Sequence, residues 1–200
     1  RDSRFGAGLP TLLDYFKQAG FATTVVTMQE PRLMMKAGVV SDHTVALRAL
    51  NPDDTILDEM ILPEFRRTLA GSAPRKFIVL QLFGSHFEYV QRYPPAFARF
   101  GGEGAPLAQR IGRYDNSVLY TDWVLGALVG ELRRQRDQEV LFAYVSDHGE
   151  NLADDARGLL QHCNQPTHFD TQVAAFFWGA GVDQTDKWAQ LVGNRQRYVG

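Results

Sequence analysis

A carboxylate and an imidazole stand side by side at Asp147-His148, where the run Val140-Leu-Phe-Ala-Tyr-Val-Ser146 ends and Gly149-Glu150 follows. A carboxylate oxygen beside an imidazole nitrogen is a donor pair that suits a Zn²⁺-like ion. An isolated Asp-His more often makes turn hydrogen bonds, but a second segment of the same design shifts the reading. Phe77-Ile-Val-Leu-Gln-Leu-Phe83 is another short apolar run, and it empties into Gly84-Ser85-His86. Both runs are β-prone and bounded by turn formers, so they predict buried strands. In an open α/β sheet, chemistry collects beyond the carboxyl ends of parallel strands. Asp147, His148 and His86 are therefore expected at one rim of a sheet, with Gly84 and Gly149 allowing sharp turns and a close approach of backbone to ligand.

Three of the five histidines fall between positions 148 and 168. His162 sits in Gly158-Leu-Leu-Gln-His162 and His168 in Pro166-Thr-His168-Phe. Either could supply a further imidazole from a separate loop, and spacing alone does not choose between them.

The elements that must position these residues alternate between strand and helix. Leu9, Leu12, Leu13 and Phe16 recur at helical spacing, with Pro10 suited to a first turn and Gly20 to a C-terminal cap. Ala22 to Met28 predicts a strand, and residues 29–54 predict an irregular loop or insert. Thr55 to Leu69 predicts a helix with Ile56, Met60, Ile61 and Phe65 on one face, ended by Gly71-Ser-Ala-Pro74. Tyr114 to Gln135 is the clearest helix, with Tyr114, Val118, Leu125, Leu128 and Leu132 as its stripe. Val173 to Trp178 predicts another buried strand. Such alternation implies an α/β domain, a mostly parallel sheet sandwiched by helices.

Composition sets the remaining bounds. Two hundred residues, 44% hydrophobic and 22% charged, suit one globular domain. A net charge of −2 without any basic run gives no support for nucleic-acid binding. The single cysteine, Cys163, excludes an intrachain disulfide framework. No apolar stretch approaches the ~20 residues that cross a bilayer. The chain opens on Arg1-Asp-Ser-Arg-Phe without Met, and reads as a piece of a longer protein.

Gly84-Ser-His86, Arg92-Tyr-Pro-Pro-Ala-Phe97, Tyr114-Asp-Asn-Ser-Val-Leu-Tyr-Thr-Asp122 and Tyr144-Val-Ser-Asp-His-Gly-Glu150 occur in that order. This series resembles the catalytic domain of bacterial phosphoethanolamine transferases, within the sulfatase and alkaline-phosphatase superfamily. The resemblance runs from about Leu9 to Trp178. It implies that residues 1–200 are part of one sulfatase-like catalytic domain, whose upstream portion and membrane anchor precede Arg1. It implies that Asp147 and His148 bind zinc. His86 and His162 then act on the phosphoryl group, with His168 held as the second candidate for the later histidine because Leu160-Gln-His162-Cys163 departs from the family's Leu-His-Gly context. Glu150 reads as a partner that orients the loop, and Asp115 and Asp122 as helix charges. No residue here matches the family's nucleophilic threonine or its upstream glutamate ligand, and the sulfatase Cys-x-Pro-x-Arg motif is absent. The lone cysteine points to a branch without the disulfides of several members.

The implied reaction is ping-pong phosphoryl transfer. Phosphatidylethanolamine is the donor, and lipid A or the lipopolysaccharide core is the acceptor. The setting is the bacterial inner membrane, with this domain in the periplasm. The isolated chain is then expected to be inactive and to hold zinc weakly. The alternatives are a sulfatase-like phosphodiesterase or hydrolase, and a binding module that has lost the chemistry.

Overall fold

The computed structural model describes residues 10–30, 40–50, 56–101, 104–162 and 167–194. Two compact units divide the chain, Arg1–Val124 and Leu125–Gly200.

The first unit is built on a three-stranded parallel sheet. Strands β1 (Ala22–Thr27), β2 (His43–Ala46) and β3 (Lys76–Gln81) run in the order β2-β1-β3. Every residue from Thr23 to Met28 is buried, so the central strand is covered on both faces. A strand in that position must satisfy its own polar groups. Thr27 donates its hydroxyl to Gln81 Oε1 at 2.7 Å, directly across the β1–β3 register. Thr23 gives both its N–H and its hydroxyl to Asp42 Oδ2, at 2.8 and 2.9 Å.

Helix α1 (Leu12–Gln18) packs on β1. Its cap is Thr11, locked in a capping box with Asp14. Pro10 therefore precedes the cap and does not occupy the first turn as expected. Gly20 follows the C-cap with φ +78°, the left-handed geometry that favours glycine at a helix end. Phe16 stacks on Phe77 with ring centroids 3.9 Å apart, joining α1 to β3. Leu9 lies outside the described residues.

Within the stretch expected to be irregular, residues 40–50 hold β2 and a short helix, α2 (Leu47–Leu50). The strand escapes a periodicity reading because it is four residues long and buries only Val45. Helix α3 covers Ile61–Ala70, not 55–69, and buries Ile61, Leu62 and Phe65. A 3₁₀ turn over Asp58–Met60 precedes it, with Asp58 drawn inward. Helix α4 spans Pro106–Leu132, starting earlier than expected. Its buried side includes Asn116, Ser117, Tyr120, Val124, Leu125, Leu128 and Leu132, whereas Val118 is exposed. Asn116 explains the polar part of that side. Its Oδ1 accepts the N–H groups of Arg99 and Phe100, and its Nδ2 donates to Tyr93 Oη and Phe100 O. One side chain thus fastens the Tyr-Pro-Pro loop to the helix.

In the second unit, β4 (Val140–Val145) pairs with the strand Ala175–Ala180, and the pairing is antiparallel. The expectation of a mostly parallel sheet thus holds for the first unit and not for this pair. Nor are these the buried strands expected: none of their residues is fully buried, and the second runs from Ala175 to Ala180 instead of Val173 to Trp178. Exposure alternates along β4, and Leu141 and Val145 are exposed. Two-residue strands β5 (Asn151–Leu152) and β6 (Leu160–Gln161) form a small antiparallel ladder, and helix α5 (His168–Thr171) leads into the Ala175–Ala180 strand, β7. Asn151 ties these pieces together. It donates to Gln161 O and Asp170 Oδ1 and accepts from the Thr167 hydroxyl. Gly149 donates its N–H to Asp170 O at 2.7 Å, and a Cβ there would sit 1.9 Å from Phe169 O. The glycine is needed for the approach of α5. The last helix, α6 (Asp186–Gly193), is capped by Thr185.

Three substitutions test this packing. Ile61→Ala removes a fully buried side chain and is expected to cost about 2–5 kcal/mol, read as a lower denaturation midpoint at unchanged slope. Gly149→Ala is expected to cost about 1–3 kcal/mol or more from the forced displacement of Phe169. Gly126→Ala lies on α4 where a Cβ meets nothing, and should instead stabilise by up to ~1 kcal/mol.

Candidate active site

Asp147, His148 and His162 come together in the second unit. Asp147 lies two residues past β4. The imidazoles of His148 and His162 meet with centroids 3.7 Å apart. His148 Nδ1 donates to the carbonyl of Gly149 at 2.6 Å, which in the neutral ring leaves the lone pair on Nε2. That Nε2 lies 3.9 Å from Asp147 Oδ1. His162 Nδ1 faces Glu150 Oε1 at 3.4 Å, and the Glu150 side chain is only 4% exposed. Glu150 thus stands behind the imidazole and fixes its direction. Ser146 donates its hydroxyl to His148 O at 2.7 Å, tightening the same turn. The loop that delivers His162 is set by the Asn151 network and by the left-handed backbone of Gln161, at φ +65°. His168 makes no such ring contact with His148 among the contacts described. It begins α5, is exposed, and its ring rests against Phe169.

His86 belongs to the first unit, past the end of β3; β3 and β4 lie in different sheets, so the described ladders do not form the single rim expected for Asp147, His148 and His86. Gly84 has φ +58°, so the sharp turn expected at that glycine is present. The His86 Nδ1 contacts the Phe87 carbonyl, the same local device found at His148 and Gly149. Three side chains around this turn were not singled out as site residues from the sequence. Asp58 is 3% exposed and accepts the N–H groups of Phe83 and Gly84, at 2.9 and 2.8 Å. Burial pushes its carboxyl pKa up, against the lowering pull of those two N–H groups and of Arg92. Arg92 lies over the Phe83 ring at 4.5 Å and donates Nε–H to His86 O at 3.1 Å. Burial lowers the Arg92 pKa, with Asp58 opposing and Arg48 adding to the shift. Arg48 approaches the same ring at 5.9 Å. The available signal for Asp58 was an acid set among Ile56, Met60 and Ile61 in an otherwise apolar pattern.

Among the described residues, no three His, Cys, Asp or Glu side chains converge as a metal site. Asp147 and His148 nonetheless fit as two donors for zinc. A histidine ligand ordinarily gives its other N–H to a carbonyl or carboxylate, as His148 does. Their 3.9 Å separation is near the ~3.3 Å edge of a tetrahedron built on bonds of about 2.0 Å. A closed zinc site takes further ligands. Cys163 lies outside the described residues.

The sulfatase family model matches residues 3–198. The chain is 27% identical over 196 residues to Kdo(2)-lipid A phosphoethanolamine 7''-transferase of Escherichia coli K12, covering 92% of this chain and 33% of that protein. It is 28% identical over 195 residues to phosphoethanolamine transferase EptC of Escherichia coli K12, covering 90% of this chain and 33% of that protein. The chain thus spans about a third of the length of these curated relatives. Among solved structures, the C-terminal periplasmic domain of Escherichia coli EptC in complex with Zn superposes with TM-score 0.75 at 25% identity, over 86% of this chain and 52% of that one. The integral membrane lipooligosaccharide phosphoethanolamine transferase A of Neisseria meningitidis shares the fold with TM-score 0.80, at 22% identity over 94% of this chain and 38% of that one. The chain belongs to the sulfatase family, and its homologues there are phosphoethanolamine transferases.

Proposed function

We propose that the whole protein carrying this chain is a zinc-dependent transferase that moves phosphoethanolamine from phosphatidylethanolamine to lipid A or the lipopolysaccharide core. In this reading residues 1–200 are part of a periplasmic catalytic domain held at the inner membrane by a segment outside these residues. No helix among the described residues is long and apolar enough to cross a membrane. The observation that carries the reading is the shared presentation of the imidazoles. His148 and His162 abut at 3.7 Å with their Nδ1 atoms engaged behind them, beside the Asp147 carboxylate.

Each residue then has a role. Asp147 and His148 hold the ion through a carboxylate oxygen and Nε2. Bound there, zinc supplies a Lewis acid that favours the deprotonated hydroxyl nucleophile and offsets charge gathering on the phosphoryl oxygens. The nucleophile implied by the family is a threonine outside this chain. His162, steadied by Glu150, presents Nε2 to the phosphoryl group, and the family resemblance gives His86 of the Gly-Ser-His turn a part in the same transfer. When protonated, either imidazole can hydrogen-bond a phosphoryl oxygen or give a proton to the departing diacylglycerol oxygen. The second half of the cycle returns phosphoethanolamine to a sugar or sugar-phosphate oxygen.

The test uses the whole protein with a fluorescent phosphatidylethanolamine and lipid A. Transfer to lipid A is expected, falling about 100-fold or more in Asp147→Ala, whereas His168→Ala should change it little. Release of free phosphoethanolamine without an acceptor product would point to a hydrolase instead. Residues 1–200 alone should give no turnover and should hold zinc weakly by equilibrium dialysis. Turnover by that piece, abolished in Asp147→Ala, would contradict the assignment of the nucleophile to another segment.

A further inference from the structure

We infer that Asp58 is a positioning residue for His86, acting by gripping the main chain of the turn that carries it. The inference rests on the proposed role of His86 in phosphoryl transfer.

Strand β3 ends at Gln81, and five residues later the chain must deliver an imidazole in a fixed direction. The β1–β3 register closes at Thr27 and Gln81, and past it Gln29 Nε2 donates to Leu82 O at 3.3 Å, at the start of the stretch. The turn itself is held by side chains at both ends. Asp58 takes the N–H groups of Phe83 and Gly84, one on each carboxylate oxygen. Arg92 holds the other end through the His86 carbonyl and covers the Phe83 ring. Gly84 supplies the left-handed backbone that the turn between them requires.

The donor pattern explains why the residue is a buried carboxylate. Two consecutive main-chain N–H groups pointing the same way form a small positive cradle, and an ionised acceptor makes the strongest bonds to it. Arg92, over the Phe83 ring, provides opposite charge nearby. Asp58 is itself fixed. The next residue, Glu59, donates its N–H to the buried Tyr120 hydroxyl of α4 at 3.2 Å. A shift of the 83–86 segment would carry the His86 ring with it, and a misplacement of about 1 Å can cost 100-fold in rate. Ordinary core packing would not call for an acid here.

A double-mutant cycle in the whole protein separates positioning from general structural support. Asp58→Asn keeps the volume but turns one acceptor into a donor facing an N–H. It is expected to lower kcat for transfer by about 10- to 100-fold, with KM for the donor lipid little changed. His86→Ala should lower kcat at least as much. Adding Asp58→Asn to His86→Ala should then cost no more than about twofold further. Arg92→Gln releases the other end of the turn from its partly exposed side, and serves in the same cycle if Asp58→Asn does not fold. Losses that multiply in the double variants would overturn the inference while leaving the transferase reading intact. Full activity in Asp58→Asn would do the same. A His86→Ala variant that transfers normally would overturn both this inference and the role of His86.

Discussion

An imidazole can serve as a metal ligand or an acid only when its other nitrogen is held, since otherwise tautomer and direction both wander. At both His86 and His148, Nδ1 is engaged by the carbonyl of the following residue, Phe87 or Gly149. At His162 the same task falls to the Glu150 carboxylate. The rest of the structure around these residues serves to keep those three acceptors still. The first two cost nothing in extra side chains, because the main chain of a tight turn supplies the acceptor. They do require that the turn keep one shape.

That requirement is met by hydrogen bonding more than by apolar burial. The segments that carry the histidines have few buried hydrophobic side chains of their own. Their order comes from buried polar groups with several partners each: Asp58 beneath the 83–84 turn and Asn151 beneath the loop that brings His162. A buried polar group that is fully satisfied specifies one geometry, and the same group half-satisfied is costly. The apolar framework of β1, α1 and α3 sets where the strands end. The polar ties set where the imidazoles point.

The parts of the fold legible in the sequence are those where residue type alone marks an element. β1 is a β-branched run of threonine and valine, β3 and β4 are mostly apolar runs, and each lies close to where the sequence predicts it. β2 left no such mark, since three of its four residues are not buried. The direction of β7 was also hidden, because an apolar run looks the same whichever way its neighbour runs. The stripe of α4 was displaced for a related reason. Its buried side includes Asn116 and Ser117, chosen for hydrogen bonds, which a hydrophobic pattern reads as solvent-facing. Among the candidate residues, the histidines and Asp147 announced themselves by chemistry and by family motifs. Asp58 did not, because a single acid in an amphipathic segment gives no sign that two main-chain N–H groups await it. The choice between His162 and His168 depended on a loop path that spacing could not give, and the fold puts His162 against His148.

Whether Asp147 and His148 share one ion is read directly by anomalous scattering from crystals of the whole protein at the zinc edge. A peak is expected at about 2.0–2.2 Å from both an Asp147 carboxylate oxygen and His148 Nε2, lost in maps from Asp147→Ala crystals. Zinc bound at other side chains, with Asp147 and His148 left out of its coordination, would contradict the shared site.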